Sequence, residues 1–531
     1  MRKIIDLLFL YIFLSCFTTI HVSSQVQQEW VRRYNGVGSS DEKGSSVRID
    51  KYGNIVVVGT SVNSVVTLKY NALGTLLWNS ILQGPYLTRI NKSLALDTEA
   101  NIYVNATGQG NNYDIYTIKY DKNGAQQWIS VYSSSGYSSD MNVRIEVGND
   151  GYVYMEGQIE PVQYVFKYLT IKYNPITGDT CWTRIFGGYG TGPFDMVLDK
   201  KCNVYVTGSD SGFATIKYDS SGMLVWVSSH VSGEPHAMCI DKLGNVYVTG
   251  EIYDEEMDCK TVKYDSSGTI LWTRIYNNFG INHYDEAWSI AADDSSNIYI
   301  TGYSEDVNYN DEYLIVKYNT NGVQQWAVHY TGIGQHSDWP EKIILDRNGY
   351  CYITGYTCYY GPNTRQYTTL KYSPSGNLIW AQNYRNINNG DDRADDLAID
   401  SSLNVYVTGT SYGNGTGYDI ATIKYSQLIG INPISSNYPD AYSLSQNYPN
   451  PFNPVTRIKF DITSNGKCET SNVKLVIYDI LGREVATLVN EQLKPGSYEV
   501  EWDGSNYASG IYFYRLISDE FVENKKMVLI K

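Results

Sequence analysis

Ala287-Trp288-Ser289-Ile290-Ala291-Ala292-Asp293, then Asn297-Ile298-Tyr299-Ile300-Thr301-Gly302, then Glu312-Tyr313-Leu314-Ile315-Val316-Lys317-Tyr318, then Val323 to Tyr330: these four runs decide the fold. Each is short, rich in β-branched and aromatic residues, and bounded by turn residues, which is how strands read. Asp294-Ser295-Ser296 separates the first two. Asn319-Thr320-Asn321-Gly322 separates the last two, and a turn opened by Asn or Asp and closed by Gly favours a type I hairpin. The unit is therefore four antiparallel strands joined by hairpins.

The unit recurs along the chain. Lys-Tyr pairs begin at Lys69, Lys119, Lys172, Lys217, Lys263, Lys317, Lys371 and Lys424. A Trp follows the turn at Trp78, Trp128, Trp182, Trp226, Trp272, Trp326 and Trp380, and Trp30 precedes the first unit. Four strands repeated at this period describe a propeller blade. A solenoid of parallel rungs usually has a shorter period and lacks three hairpins per unit, and no 3.6-residue apolar period supports helices. The two ends of the array complement each other. Glu29 to Tyr34 is a fourth strand alone, and Ala394 to Tyr425 supplies three strands without a Trp strand. Joined, they make an eighth blade and close a ring that leaves no exposed sheet edge.

Composition agrees. The chain has 531 residues with 14% aromatic and 18% charged, 50 Tyr, 46 Gly and a formal net charge of −15. It is too long for one ordinary core, so at least two domains are expected. No basic stripe is present, which argues against nucleic-acid binding. Arg2 and Lys3, the mostly apolar run from Leu7 to Ile20, and Val22-Ser23-Ser24 read as a signal peptide over residues 1–24, too short an apolar run to span a membrane comfortably. The mature chain is expected to have no transmembrane helix. Cys16 offers a lipidation alternative, but Phe13 fits poorly three positions upstream. Seven Cys follow the signal, with no metal-ligand spacing. They read as scattered thiols, with Cys351 and Cys358 the only pair near enough in sequence for a local bridge.

The frame Ile-Ala-Ala-Asp…Asn-Ile-Tyr-Ile-Thr-Gly…Ile-Val-Lys-Tyr…Gly…Trp, echoed at Asn203 to Gly208, Asn245 to Gly250 and Asn404 to Gly409, resembles the bacterial SBBP β-propeller repeats over about residues 26–426. The resemblance implies a propeller and an extracellular setting, and little chemistry.

After Tyr425 the pattern stops. Residues 427–440 read as a linker carrying Pro433 and Pro439. Six or seven short strands then follow in residues 441–531, as expected of an Ig-like sandwich. Tyr448-Pro449-Asn450-Pro451-Phe452-Asn453-Pro454, Val476-Ile477-Tyr478-Asp479-Ile480-Leu481-Gly482-Arg483, Leu493-Lys494-Pro495-Gly496-Ser497-Tyr498, Ser509-Gly510-Ile511-Tyr512-Phe513-Tyr514 and the terminal Lys526-Met527-Val528-Leu529-Ile530-Lys531 resemble, in order, the type A C-terminal sorting domain of type IX secretion substrates. That resemblance implies the secretion machinery as a partner, with passage through the periplasm to the cell surface or the medium.

Catalytic signatures are sparse. His230, His236, His283, His329 and His336 show no zinc-hydrolase spacing and read as surface residues on polar loops. Gly409-Thr410-Ser411-Tyr412-Gly413 fits the nucleophile-elbow pattern. It lacks the strand-turn-helix context, and Gly59-Thr60-Ser61 repeats its start. Gly187 to Gly192 is Gly-rich with no helix after it to receive a phosphate. The recurrent Asp50, Asp97, Asp199, Asp241, Asp293, Asp346 and Asp400 occupy the same turn after the first strand in seven of the eight blades and, with the Lys of the Lys-Tyr pairs, read as scaffold.

The loops that enter the first strands carry acids in most blades: Asp41, Glu42, Asp140, Asp195, Glu234, Asp285, Glu286, Asp338, Asp391 and Asp392. In a closed ring such loops open on one face, where converging carboxylates could hold a divalent cation or a basic ligand. No cofactor is identified. The expectation is a binding or scaffold propeller with an extracellular glycan or protein ligand and no reaction of its own. The alternative is a polysaccharide hydrolase or lyase using acids of the central face, with Trp339 and the stretch Tyr356 to Tyr367 stacking on sugars.

Overall fold

The computed structural model describes residues 26–531 apart from 37–40, 85–86, 90–91, 110–112, 135–139, 188–191, 211, 231–232, 254–256, 279–282, 335–336, 359–363, 387–389, 428–431, 436–438, 464–470, 494, 505–506 and 519–520. The signal peptide read over 1–24 lies outside the described residues. The chain divides into two compact units, Gln28–Ser426 and a second one containing Gln427–Lys531.

Eight antiparallel blades make up the first unit. Blades one to seven run in chain order. Blade six, for example, is Asp285–Ala292, Ile298–Glu305, Asp311–Tyr318 and Gln324–Tyr330. Blade eight joins Asp392–Ile399, Val405–Gly413 and Gly417–Gln427 to Val26–Tyr34, so the one-plus-three closure expected from the sequence is present. The first strands pack against one another around the whole ring, from Lys43–Ile49 of blade one back to Asp392–Ile399 of blade eight. At the closure the Arg33 guanidinium meets the Asp419 carboxylate at 2.7 Å and the Ser411 carbonyl at 2.9 Å.

The repeated residues hold neighbouring blades together. Gly322 closes a turn with φ +75, where a Cβ is strained, and that Cβ would stand 2.8 Å from the Trp272 ring of the blade before. Trp272 Nε1 and Lys263 Nζ both donate to Thr320 O in the same turn, at 3.1 and 2.9 Å. Trp326 and Lys317 converge on Pro374 O in the same way, and Trp78 and Lys69 on Lys122 O. Trp30 and Lys424 complete the circle on Ala72 O. The junction of blades seven and eight differs. The third and fourth strands of blade eight come from opposite ends of the chain, so no such turn exists, and Trp380 Nε1 is buried without a partner among the described residues. Apolar cores fill the spaces between blades. One contains Tyr247 and Trp272 of blade five with Ile300, Leu314, Val316 and Tyr318 of blade six.

The turn aspartates do the scaffold work expected of them. Asp293 Oδ1 accepts the amides of Ser295 and Asn297, and its Oδ2 accepts Asn297 Nδ2. Asp50 also pairs with Lys69 at 2.9 Å.

Seven of the first strands carry a register shift at one position: between Gly44 and Ser46, Asn142 and Arg144, Pro193 and Asp195, Pro235 and Ala237, Ala287 and Ser289, Pro340 and Lys342, and Ala394 and Asp396. The skipped residue of each bulge is released from the ladder and re-aimed. In blade two the first strand is broken into Leu87–Arg89 and Leu94–Leu96, and its shift falls in the first piece, between Leu87 and Arg89.

In the second unit, two four-stranded antiparallel sheets share one core that includes Ile458, Phe460, Leu475, Ile477, Val500, Trp502 and Tyr514. The expected linker is partly structured, because Asn432–Ser435 pairs with Gly496–Asp503 at the edge of one sheet. An edge strand accommodates Pro433, whose missing N–H would disrupt a central one. The suggested bridge between Cys351 and Cys358 is not formed. The two thiols are free and stand at opposite ends of a single extended strand, seven steps of about 3.3 Å each apart.

Candidate ligand-binding site

The seven skipped residues are Ser45, Val143, Phe194, His236, Trp288, Glu341 and Asp395, and all of them line one axial cavity of about 740 Å³. The backbone device is the same in each of these blades and the side chain it delivers is different each time. Three adjacent blades supply an aromatic wall. Phe194 meets His236 edge-on at 5.6 Å between centroids, and His236 lies 4.2 Å from the Trp288 ring. Trp288 is followed at 6.2 Å by Trp339, which stacks on Tyr303 at 4.8 Å. Trp288 Nε1 and both ring nitrogens of His236 are buried without a hydrogen bond among the described residues. Orphaned donors and acceptors beside a cavity are unusual in a finished scaffold.

Charged and polar groups complete the wall. Arg48 pairs with Asp396 at 2.7 Å, and Asp195 with both Arg144 at 2.7 Å and Lys92 at 3.0 Å. Burial works to raise the Asp195 pKa, but the Arg144 and Lys92 charges override it and hold the carboxyl well below its usual range. Glu341 and Asp395 face the cavity next to Arg393, which pairs with Asp391 at 2.7 Å. Asp395 is pushed above its ordinary value by enclosure and then by the Glu341 charge.

The acidic loops do not form the expected open mouth. Glu42, Asp140, Asp285, Glu286, Asp338 and Asp392 are buried. Four of them are loop staples, whose carboxylates accept backbone amides on the approaching loop: Ser134 N to Asp140 at 2.8 Å, Asn278 N to Asp285 at 2.9 Å, Gly332 N to Asp338 at 2.6 Å and Asn386 N to Asp392 at 3.1 Å. Burial pushes Asp338 up to about 7 and Asp285 to about 6, with the amide bonds pulling the other way. Glu42 accepts from Ser61 Oγ. Asp41 is exposed and accepts the Tyr418 amide, Glu234 is half-buried, and Asp391 is occupied by Arg393 and Arg365. Glu286 turns into the wall toward His236 and Glu251.

Ser411 is fully buried and accepts from the Arg33 guanidinium, so it offers no exposed nucleophile. His236 is a correction to the reading of surface histidines, since its side chain is only 8% exposed. His283 stacks on Tyr309, and His329 sits by Glu312. The His230 side chain, His336 and residues 188–191 and 359–363 lie outside the described residues. Tyr356 lies beneath the Arg365 and Arg393 guanidiniums.

The bulged ring was missed in sequence. Its signal is Pro193-Phe194, Pro235-His236, Ala287-Trp288, Pro340-Glu341 and Ala394-Asp395, the column of the repeat that does not repeat.

Fold and cavity together define a closed β-propeller with a blade-specific axial site. Residues 446–531 match the secretion system C-terminal sorting domain family. The protein is thus a propeller carrying a type IX export tail, bound for the cell surface or the medium. Over 70% of its length the chain is 24% identical to an uncharacterized WD repeat-containing protein, L264, of Acanthamoeba polyphaga mimivirus, and the match spans 27% of that relative. Among solved structures it is similar to the Dos1 propeller (TM-score 0.48, 8% identity, 75% of this chain and 95% of that one). It is also similar to the WD40 domain of SCAP from fission yeast (TM-score 0.44, 11% identity, 77% and 97%). No helix among the described residues is long and apolar enough to cross a membrane.

Proposed function

We propose that this protein is a secreted or surface-displayed binding propeller that takes a carbohydrate chain into its axial cavity and performs no reaction of its own. The observation that carries this reading is the bulged ring. It places the rings of Phe194, His236 and Trp288 beside a wall of carboxylates, guanidiniums, amides and hydroxyls. A sugar presents apolar C–H faces and a rim of hydroxyls. Aromatic plates and paired polar groups match the two. The test is a glycan screen on the full chain, repeated on Trp288→Ala and Glu341→Gln. Binding lost in both variants supports the reading. Binding unaffected by either places the ligand elsewhere.

One observation favours the enzyme alternative. Glu341 and Asp395 are neighbouring carboxyl groups in the cavity, and the Glu341 charge helps raise the Asp395 pKa, as in an acid–base pair. A hydrolase would release new reducing ends from the bound glycan and a lyase unsaturated ends. Either product, abolished by Glu341→Gln, would replace the binding reading.

A further inference from the structure

Behind the cavity wall, where blade five meets blade six, three metal-binding side chains converge. His236 lies on Glu234–Ile240 and Glu251 on Val246–Tyr253, both in blade five. Glu286 lies on Asp285–Ala292 of blade six. One ligand atom from each, an imidazole nitrogen and two carboxylate oxygens, fall within 4.8 Å of one another. His236 Nε2 stands 3.4 Å from Glu251 Oε2, with side-chain exposures of 8% and 5%.

Three features distinguish this group from an ordinary acidic cluster. First, the imidazole is more than nine-tenths buried, and neither ring nitrogen makes a hydrogen bond. A buried imidazole whose nearest partner is a single carboxylate oxygen at 3.4 Å recovers little of the hydrogen bonding it had in water, unless a ligand occupies the space it points to. Second, no Lys or Arg among the described residues makes an ion pair with Glu251 or Glu286, so two carboxylates share a buried site whose one potential cation is the imidazole. Third, each carboxylate is already oriented from outside. The Tyr303 hydroxyl donates to one oxygen of Glu286 and the Tyr253 hydroxyl to one oxygen of Glu251. A hydroxyl that holds one carboxylate oxygen and so orients the group is the outer-shell arrangement that metal-binding carboxylates use.

The composition is specific to this junction. At the position following the second-strand glycine, where Glu251 stands, the other blades place Thr60, Gln109, Gln158, Ser209, Tyr303, Tyr356 and Thr410. The repeat frame therefore does not generate the cluster.

We propose that His236, Glu251 and Glu286 bind a divalent transition-metal ion, with zinc the expected occupant. One imidazole and two carboxylates suit zinc. Three protein ligands leave a four-coordinate ion one open position, and His236 also borders the cavity. The ion would balance the two carboxylates, give the imidazole a close ligand bond in place of a 3.4 Å contact and tie blade five to blade six. This assignment does not rest on the glycan reading, and its test uses no glycan.

The experiment is a zinc titration of the chelator-stripped full chain by calorimetry, with metal content measured after gel filtration and folding checked by circular dichroism. The wild type should take up one zinc per chain and melt at higher temperature as free zinc rises. Glu286→Gln, nearly the same shape, and His236→Ala should each lose the stoichiometric uptake and the shift. Tyr303→Phe should keep the stoichiometry with affinity about 10- to 100-fold weaker. A wild type that takes up no stoichiometric zinc would overturn the proposal. So would a folded Glu286→Gln that binds as the wild type does.

Discussion

Trp272, on the outer strand of blade five, lies against Gly322 of blade six and donates its indole N–H to Thr320 O at 3.1 Å. Trp288, on the inner strand of blade six, lines the axial cavity, and its indole N–H meets no acceptor among the described residues. The first tryptophan stands in a column filled by Trp in every blade. The second stands in a column that holds a different side chain in each bulged blade. The outer rim is satisfied internally except at the seam, where Trp380 has no partner among the described residues, whereas in the inner ring both His236 and Trp288 carry unbonded nitrogens. A position whose polar atoms are all used by the fold has nothing left for a ligand, and a position whose atoms are unspent is where a ligand can be held.

Deleting each tryptophan tests the contrast most severely. Trp272→Ala removes a buried ring from the core between blades five and six and leaves Thr320 O with Lys263 as its one side-chain donor. It should destabilise the propeller by about 3–5 kcal/mol in a urea melt. Trp288→Ala should cost far less, because it removes a partly exposed ring and an unsatisfied donor together. Equal losses would erase the distinction between rim and ring. Glycines offer a finer version. Gly322→Ala combines a left-handed backbone with a collision against the Trp272 ring, whereas Gly53 has the same kind of φ, +77, and nothing within 4 Å of its would-be Cβ. Gly53→Ala should cost only the backbone share, about 1–2 kcal/mol, and Gly322→Ala clearly more.

Protonation separates two kinds of buried acid. Asp338, a loop staple, is raised to about 7, so the folded state holds its proton over a range where the unfolded chain has released it. Its contribution to stability is full below the ordinary carboxyl pKa near 4 and is lost as pH rises toward 7. Asp195, held low by Arg144 and Lys92, does the reverse, and its contribution is lost as pH falls through the acid range. Melting temperatures of Asp338→Asn between pH 4 and 7 should therefore decline less with pH than those of the wild type. A parallel decline would show that Asp338 is not the titrating group. The smallest effect concerns the seam. Trp326→Phe gives up a bond to Pro374 O, while Trp380→Phe gives up none from its indole, so the first should cost about 1 kcal/mol more.

The rim was legible in sequence because its physics is local and repeated. Strand runs, Asp- and Gly-bounded turns and the Lys-Tyr and Trp columns fixed the blade, and the mismatched ends showed how the ring closes. The acidic loops were legible as a recurrent feature, but their role was not. Whether Asp285 or Asp338 faces water or folds back onto an amide depends on loop geometry that charge counting does not contain. The inner ring was hidden for a different reason. A bulge moves one residue out of the two-residue alternation, so His236 and Trp288 look like ordinary strand positions until the register is known. The pairing of Glu251 with Glu286 spans two blades and has no sequence spacing to announce it. Asn432–Ser435 reads as linker in sequence because Pro433 masks an edge strand.

A ligand held by the bulged ring, and not by the rim, should respond to the loss of Trp288 alone. The most direct measurement is the affinity of the best glycan from the screen for the wild type and for Trp288→Ala, with the melting temperature of each free protein recorded alongside. The account predicts binding to the wild type that weakens at least tenfold in Trp288→Ala, while the free variant melts close to the wild type. Unchanged affinity in a well-folded Trp288→Ala would contradict it.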